Sequence, residues 1–383
     1  MKGYIPEDRI EEVRNRINIV DLVSEYVTLK KAGRNYLGSC PFHKEKTPSF
    51  TVNAEKQIYH CFGCGEGGNV FSFLMKIDNM TFPEAVRHLA GKLGIALPAR
   101  DFTPEEKSRH DSRESLVRVN WVAAAFYAKM LQTAAGSGGR AYLERRGLRP
   151  AVVDAFRLGY APEGWRALRD HLQRERIALK HAEQAGLLVP RGDGDAYDRF
   201  RGRLMFPIED IHGNVIAFGG RIIGEGEPKY LNSPESALYV KGRHLYGLSR
   251  AKNAIRKDET LIIVEGYFDL LALWNAGVAN AAATLGTALT REQVDLIRRY
   301  TASVAVTFDT DAGGKSALER SMSLFLERGM KARAVVLPDG KDPDEFVSRH
   351  GKDAFLDEIR RARPLVDYYI DEVIGTGRNI DER

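Results

Sequence analysis

The stretch Leu261-Ile262-Ile263-Val264-Glu265-Gly266-Tyr267-Phe268-Asp269 decides the fold. Four apolar residues in a row read as a strand buried on both faces, and the acid that follows opens a helical stretch ending at Gly277. The same switch recurs where Val304-Ala305-Val306-Thr307-Phe308 runs into Asp309-Thr310-Asp311 and a further helix. Working outward, the pattern predicts strands at 261–264, 278–283, 303–308 and 332–337, alternating with helices at 268–276, 290–300 and 314–328. That is a βαβαβαβ parallel sheet with right-handed crossovers. A third acidic group, Asp342-Pro343-Asp344-Glu345, follows the last strand and leads into helices at 343–350, 352–363 and 364–374. Ligands of open parallel sheets bind outside the carboxyl ends of the strands, so the three clusters are expected to form one metal-binding site. Asp309 and Asp311, two positions apart, face the same side if extended geometry continues, which suits hard carboxylates sharing one or two cations.

Asp309 to Ser316 reads DTDAGGKS, a Walker A pattern with aspartate in place of the first glycine. A phosphate cradle needs that glycine for its turn, and two carboxylates would repel the anion unless metal ions lay between. The reading is phosphate handling through metal ions.

At 383 residues the chain has room for two or three domains. Its net charge of +5 conceals a gradient, since residues 101–255 carry 25 basic against 19 acidic residues while 256–383 carry 18 against 22. A polyanion held on the basic part and metal ions collected on the acidic part fit that gradient. No apolar run approaches membrane-spanning length and the N-terminus is charged, so a membrane protein is excluded and a cytosolic one expected.

Residues 8–31 read as an amphipathic helix that Asn18-Ile19-Val20-Asp21 divides. The three cysteines, Cys40, Cys61 and Cys64, fall with His43 into Cys-x2-His-x17-Cys-x2-Cys. Two knuckles with two-residue gaps, separated by a hairpin-sized stretch, are what one tetrahedral structural zinc requires, with His60 as the alternative ligand. The intervening segment alternates like strands of a ribbon. Lys30, Lys31, Arg34, Lys44, Lys46, Lys56, Phe50, Tyr59 and Phe62 mix cations with aromatics, a combination that grips a single strand, although Phe50 and Phe62 suit a small core equally. Helices at Val70–Lys76 and Thr81–Leu93 complete this module.

Pro98 to about Arg113 reads as a polar linker, Glu114 to Leu131 as a helix, and Gly136-Ser137-Gly138-Gly139 as a break. Strands are expected at 204–208 and 215–218, joined by a turn at Gly213-Asn214. Arg199, Arg201 and Arg203 alternate, which on a strand would make one basic rib for a nucleic-acid backbone.

Taken together, these motifs closely resemble the bacterial replicative primases of the DnaG type, over nearly the whole chain and in the family's order. Cys40-Pro41-Phe42-His43-Lys44-Glu45-Lys46-Thr47-Pro48-Ser49-Phe50 with Cys61-Phe62-Gly63-Cys64 is similar to the family's zinc ribbon. Arg199 to Pro207, Lys229 to Pro234 and Lys241 to Gly247 resemble blocks of its polymerase domain, while Glu265, Asp309, Asp311 and the DPDE at 342–345 match the catalytic acids of a Toprim fold.

The resemblance implies a multidomain α/β protein. Residues 1–100 form a zinc ribbon with helices that reads single-stranded DNA, 101–113 a linker, and 114–257 the basic α+β part of an RNA polymerase domain. Residues 258–340 form the Toprim subdomain, and 341–383 carry the third acidic motif and the start of a helical subdomain that the family continues. The implied activity is synthesis of short RNA primers on single-stranded DNA from ribonucleoside triphosphates, giving an RNA–DNA hybrid. The implied ions are one structural Zn2+ and two or more Mg2+ or Mn2+.

Asp309, Asp311, Asp342 and Asp344 are expected to hold the divalent ions, with Glu265 either a further ligand or a general base. Arg146, Arg221, Lys229, Tyr230, Asn232 and Lys241 are expected at the triphosphate or nearby template, with Arg199, Arg201 and Arg203 on the template backbone. Lys30, Arg34, Lys46, Lys56 and Phe50 would supply the zinc domain's DNA contacts. A monomer at the replication fork is expected, meeting the replicative helicase through a C-terminal domain beyond this chain. Toprim acids also serve topoisomerases and nucleases, and a zinc-bearing single-strand binder is the non-enzymatic alternative; new RNA, cleaved DNA or bound DNA alone separates the three.

Overall fold

The computed structural model describes residues 5–338 and 342–377 except 44, 46, 79, 98–103, 193–194, 287 and 308–311, and the side chains at 104–110, 312–319 and 372–377 are likewise outside the description. It divides into two units, Met1–Glu106 and Lys107–Arg383.

In the first unit, helices α1 (Glu7–Arg16) and α2 (Ile19–Ser24) are separated at Asn18, whose side chain accepts from the Val20 N–H at 2.9 Å and so starts the second helix. Strands β1 (Lys30–Ala32), β2 (Asn35–Gly38), β3 (Phe50–Asn53), β4 (Ile58–Cys61) and β5 (Gly67–Gly68) form an antiparallel meander in chain order. Alternation places Phe50, Val52, Tyr59 and Cys61 on the inner face, where they join Val13, Ile19, Leu22, Phe73 and Leu89 in one core. Helix α3 (Val70–Ile77) is capped by Asn69 and α4 (Phe82–Leu93) by a Thr81/Glu84 capping box.

The second unit opens on α5 (Pro104–Leu131), so the expected linker at 101–113 is helical from Pro104. Thr103-Pro104-Glu105-Glu106 has the composition of a helix start, with proline at the first position and acids in the first turn, and that outweighs the stretch's polarity. The break expected at 136–139 falls earlier, between Leu131 and Gly136, and α6 (Ser137–Arg145) begins within the glycine run. Next come α7 (Pro150–Ala155), β6 (Gly159–Ala161), α8 (Ala167–Arg174), α9 (Leu179–Gln184), a small hairpin of β7 (Leu188–Pro190) and β8 (Ala196–Asp198), then β9 (Arg203–Glu209), β10 (Val215–Ile222) and β11 (Tyr230–Asn232). They build an antiparallel sheet in the order β11-β10-β9-β6.

Helix α10 (Leu248–Asp258) leads into the parallel sheet: β12 (Leu261–Val264), α11 (Tyr267–Asn275), β13 (Ala281–Ala283), α12 (Arg291–Arg298), β14 (Ser303–Thr307), α13 (Ala312–Glu327) and β15 (Lys331–Val335). Helix α14 (Pro343–Arg361), the two-residue β16 (Arg363–Pro364) and α15 (Leu365–Gly377) follow. Gly351, at φ 79°, breaks α14 where two separate helices were expected. The strand expected at 278–283 begins only at Ala281, because the Val278 N–H still closes helix α11 onto the Leu273 carbonyl at 2.8 Å.

The sheet order is β13-β12-β14-β15-β16, with all pairings parallel except that of β16. Ile262 and Val264 of β12 enter the core shared with the antiparallel sheet, and Leu261 and Ile263 enter the core on the opposite face. This two-sided burial is why the strand reads as an unbroken apolar run. From β12 the chain steps to β13 on one side, whereas β14 and β15 lie on the other, so the topological switch falls between the carboxyl ends of β12 and β14.

Candidate metal centre and candidate active site

In the first unit Cys40, His43, Cys61 and Cys64 offer ligand atoms that all lie within 4.8 Å of one another. Cys40 Sγ and Cys64 Sγ are 3.8 Å apart, and Cys61 Sγ lies 3.7 Å from His43 Nδ1. A tetrahedral ion with bonds of about 2.3 Å to sulfur and about 2.1 Å to nitrogen sets donor separations of about 3.8 and 3.6 Å, so the four residues fit a zinc ion.

The other ring nitrogen, Nε2, lies 3.3 Å from a Glu45 carboxylate oxygen, which favours a proton there and leaves Nδ1 as the donor to an ion. Glu45 also accepts from the Cys40 N–H at 2.7 Å, the Ser49 N–H at 3.0 Å and the Ser49 hydroxyl. The Ser49 hydroxyl is the first cause holding its carboxyl below the usual range. Burial pushes the Cys40 thiol up to about 12. Burial acts in the same direction on Cys61, but the Ser49 hydroxyl and the Cys64 and Gly63 backbone outweigh it and bring that thiol down to about 7. Gly63 is needed because a Cβ there would lie 2.6 Å from His43 Nε2. His60 is not among the four. Glu45 escaped the sequence reading because a carboxylate between knuckles is as readily a surface residue.

In the second unit, Glu265 is exposed directly after β12, and Gly266 caps α11. Asp269, in the first turn of that helix, accepts from the Gly266 N–H at 2.9 Å. Asp342 caps α14 by accepting from the Glu345 N–H at 2.8 Å. Asp344, in the first turn of that helix, is buried and paired with Arg146. Burial, then the charge of Asp342 and, more weakly, that of Asp344, push the Asp269 carboxyl up to about 7 against the Gly266 and Asp344 N–H groups that favour its charged form. Burial is also the first cause raising Asp344, with Arg146 opposing it.

Three acids therefore share one field in which they cannot all ionise at ordinary cost. Asp269 was quoted in its motif but not singled out, because only the meeting of α11 with α14 brings it beside Asp342 and Asp344. Asp309 and Asp311 lie outside the described residues. Among the described residues, the set at 40–64 is the only group of three or more histidine, cysteine or acidic side chains that could hold a single ion.

Facing the acids is a cluster of arginines on aromatic planes. The Arg146 guanidinium lies 4.9 Å from the Phe268 ring centre and 5.5 Å from that of Tyr142, and Arg221 lies 5.4 and 4.9 Å from the same two rings. Arg221 also donates to the Tyr230 hydroxyl at 2.5 Å, across the β10–β11 register that pairs the two residues. Lys229 is exposed beside them, and Asn232 and Lys241 bond to the loop after β13, through the carbonyls of Leu285 at 3.2 Å and Gly286 at 3.5 Å. The EGYFD turn thus supplies carboxylates to one side and an aromatic plane for two cations to the other. Nothing in residue spacing places Tyr142 or Phe268 there.

The basic rib does not form. Only Arg203 lies in a strand, and it is buried, donating to the Gly220 carbonyl at 3.3 Å and the Lys229 carbonyl at 3.4 Å. Arg199 is half-buried, and burial lowers its guanidinium. Arg201, also half-buried, is stacked 4.2 Å over the half-exposed Trp165 and 5.3 Å from Tyr197, with Arg191 over the same rings at 5.3 and 4.9 Å. Alternation predicted one face, but these residues precede the strand and follow its turn geometry.

In the zinc unit Phe50 is fully buried, stacked on Tyr59 at 5.3 Å, and so is core rather than a DNA contact. Lys30, Arg34 and Lys56 are exposed, as is Phe62, whereas Lys46 lies outside the described residues.

Three family models match the chain: CHC2 zinc finger over residues 5–104, DNA primase catalytic core, N-terminal domain, over 126–252, and Toprim-like over 262–347. A DNA primase of Halalkalibacterium halodurans is 46% identical over 361 residues, which cover 94% of this chain and 60% of the relative. The Pseudomonas putida DNA primase is 44% identical, with 97% of this chain and 57% of the relative covered. The chain spans about 60% of the length of the curated relatives it matches. The crystal structure of the zinc-binding and RNA polymerase domains of the Aquifex aeolicus primase superposes with a TM-score of 0.63 at 37% identity, covering 98% of this chain and 89% of that one. With that chain matched nearly end to end, the present one belongs to the DnaG-type family of bacterial DNA primases.

Proposed function

We propose that the chain synthesises RNA primers on single-stranded DNA from ribonucleoside triphosphates. The observation that carries this reading is the meeting, at the switch point of a parallel sheet, of an acid cluster with cations held on aromatic planes, which are the two halves of a site for a metal-bound triphosphate.

In the reaction a primer 3′-oxygen bonds to the α-phosphorus of the incoming nucleotide while the bond from that phosphorus to the bridging oxygen of pyrophosphate breaks. Glu265, Asp269, Asp309, Asp311, Asp342 and Asp344 are the residues assigned to hold Mg2+ or Mn2+. Bound ions of this kind stabilise the attacking and leaving oxygens of an in-line displacement. Arg146, Arg221, Lys229 and Lys241 supply positive charge to the triphosphate, and Tyr230 and Asn232 line the same strand. Glu265, exposed at the end of β12, is the assigned acceptor for the hydroxyl proton if it does not ligate an ion.

Cys40, His43, Cys61 and Cys64 are assigned one structural Zn2+. The template is assigned to Trp165, Tyr197, Arg191 and Arg201, where an exposed aromatic interleaved with arginines suits stacking and phosphate contact. A DnaG primase catalytic domain has been solved bound to single-stranded DNA, 39% identical to this chain and superposing with a TM-score of 0.63. Exposed Lys30, Arg34 and Lys56 are assigned to the zinc unit's contacts with the same strand. No helix among the described residues is long and apolar enough to cross a membrane.

The test is to supply the chain with single-stranded DNA, four ribonucleoside triphosphates and magnesium. New RNA supports the reading. Cleaved DNA, or bound DNA alone, overturns it in favour of a nuclease-like site or a binding protein.

A further inference from the structure

The nucleotide-facing strand β11 is three residues long, lies at the edge of its sheet and is paired only with β10. So short an edge is weakly held by its ladder alone. Side-chain bonds of Asn232 add to that ladder, and one of them reaches the acidic turn. Tyr267, the first residue of α11, is buried and sends its hydroxyl to Asn232 Oδ1 at 2.9 Å. The Asn232 amide is fixed from the other side by its donation to the Leu285 carbonyl, which also sets which end of the amide faces Tyr267.

The approach is built into β10. Gly219 is the residue paired with Asn232, and a Cβ on it would lie 2.3 Å from the Tyr267 hydroxyl. This explains why β10 continues through Gly219-Gly220, where the sequence suggested a strand end. The Tyr267 ring is stacked on Phe206 at 4.7 Å, meets Tyr246 edge-on at 4.7 Å and lies parallel to Tyr230 at 6.1 Å. A phenylalanine would fill the same space. The hydroxyl adds only the bond to Asn232, whereas the hydroxyls of nearby Tyr239 and Tyr246 have no partner.

Tyr267 lies between Glu265 and Asp269 in one turn, so whatever it holds is held relative to the acids. What it holds is the strand that carries Tyr230, and through Tyr230 the Arg221 guanidinium. We propose that Tyr267 is a positioning residue that moors the nucleotide strand to the acidic turn, so that triphosphate and metal ligands keep one spacing. This inference rests on the assignment of that strand to the ribonucleotide.

The experiment is a double-mutant cycle of Tyr267→Phe and Asn232→Ala in the full chain, read by isothermal titration with ATP and magnesium, with single-stranded DNA affinity and melting temperature measured on the same preparations. Losing one hydrogen bond in Tyr267→Phe is expected to weaken ATP binding about three- to tenfold, with DNA affinity unchanged and melting within a few degrees of the parent. In the Asn232→Ala background the same change is expected to have no further effect. ATP binding equal to the parent in Tyr267→Phe, or a loss that adds in full to that of Asn232→Ala, overturns the inference while leaving the proposed activity standing. A parent chain that binds no ATP removes both, and one that binds ATP yet makes no RNA removes the activity alone, because the cycle is read on binding.

Discussion

The zinc-ligand cluster and the acidic edge of the parallel sheet are assembled in opposite ways. The first draws four donors from residues 40–64, on two knuckles of one small sheet. The second draws Asp269 from α11, Asp342 and Asp344 from the start of α14 and its cations from the end of α6 and from β10, so it exists only when the parallel and antiparallel sheets are packed together. The contrast is between donors preset by chain neighbours and acids brought together by packing, the second being a cation site under the proposed function. In the knuckles, donors already stand at tetrahedral separations and Glu45 orients the histidine. At the sheet edge, burial first and the crowded charges of Asp342 and Asp344 second raise one carboxyl to about 7, and the arginines facing Asp344 limit the repulsion.

Loss of one donor should therefore act on chemistry at the edge and on folding in the knuckles. Asp309→Ala and Asp311→Ala are each expected to lower primer synthesis by orders of magnitude, because bound ions contribute several kcal/mol of transition-state stabilisation. Template affinity and melting should stay near the parent's, since each change removes a negative charge beside a polyanion. Normal synthesis by either variant on a primer gel would remove these residues from the site. Cys61→Ser should instead release zinc and unfold residues 1–106, leaving 107–383 folded, because structural zinc contributes on the order of 10 kcal/mol to such modules. Metal analysis with limited proteolysis checks this, and zinc content equal to the parent's would contradict it.

The same contrast accounts for what was legible in the sequence. Knuckle spacing is a property of neighbours along the chain, so the zinc donors stood out at once. The parallel sheet was readable at β12 and β14, since burial writes an apolar run into those strands and the acids follow within a residue or two. Asp269, Tyr142 and Phe268 were not readable, because their roles depend on which helix turns meet across the sheets. The arginines at 199–203 misled for a related reason: period-two alternation describes a side-chain face only inside a strand, and β9 begins at the last of them. Phe50 has the chemistry of a stacking platform, and only the register opposite Cys61 turns it inward.

The crowded carboxyl gives a pH signature that the knuckles lack. In the metal-free chain Asp269 has a folded value of about 7, raised above its usual value of about 3.9. A raised value means that its contribution to stability is complete below the unfolded value and is lost as pH rises through the folded one. Asp269→Asn is therefore expected to match the parent near pH 4 and to melt progressively higher than it as pH rises to 7, by a few degrees, with the gap constant above. The asparagine oxygen can still accept from Gly266, and the lost acceptor for the Asp344 N–H acts alike at every pH, so the pH dependence of the gap isolates charge. A gap that does not change between pH 4 and pH 8 in thermal melts without divalent ions would falsify the crowding argument.

The smallest expected effects sit on the surface proposed for the template, and they separate stacking from charge. Trp165 is half-exposed beneath Arg201, whereas Arg203 is consumed by the carbonyls of Gly220 and Lys229. If bases stack on the indole, Trp165→Ala should weaken single-strand binding about tenfold without altering the slope of log affinity against log salt, because no ion is released at a stacking contact. Arg201→Ala should weaken binding less and reduce the magnitude of that slope by about 0.7, the value for one phosphate on a single strand. Arg203→Ala should leave the slope unchanged and lower the melting temperature, since it removes a buried side chain and its bond to the buried Gly220 carbonyl. Equal slope changes for Arg201→Ala and Arg203→Ala would restore the rib that alternation suggested. A slope change for Trp165→Ala would mean that the indole acts by holding Arg201 on a phosphate, and the stacking assignment would have to be given up.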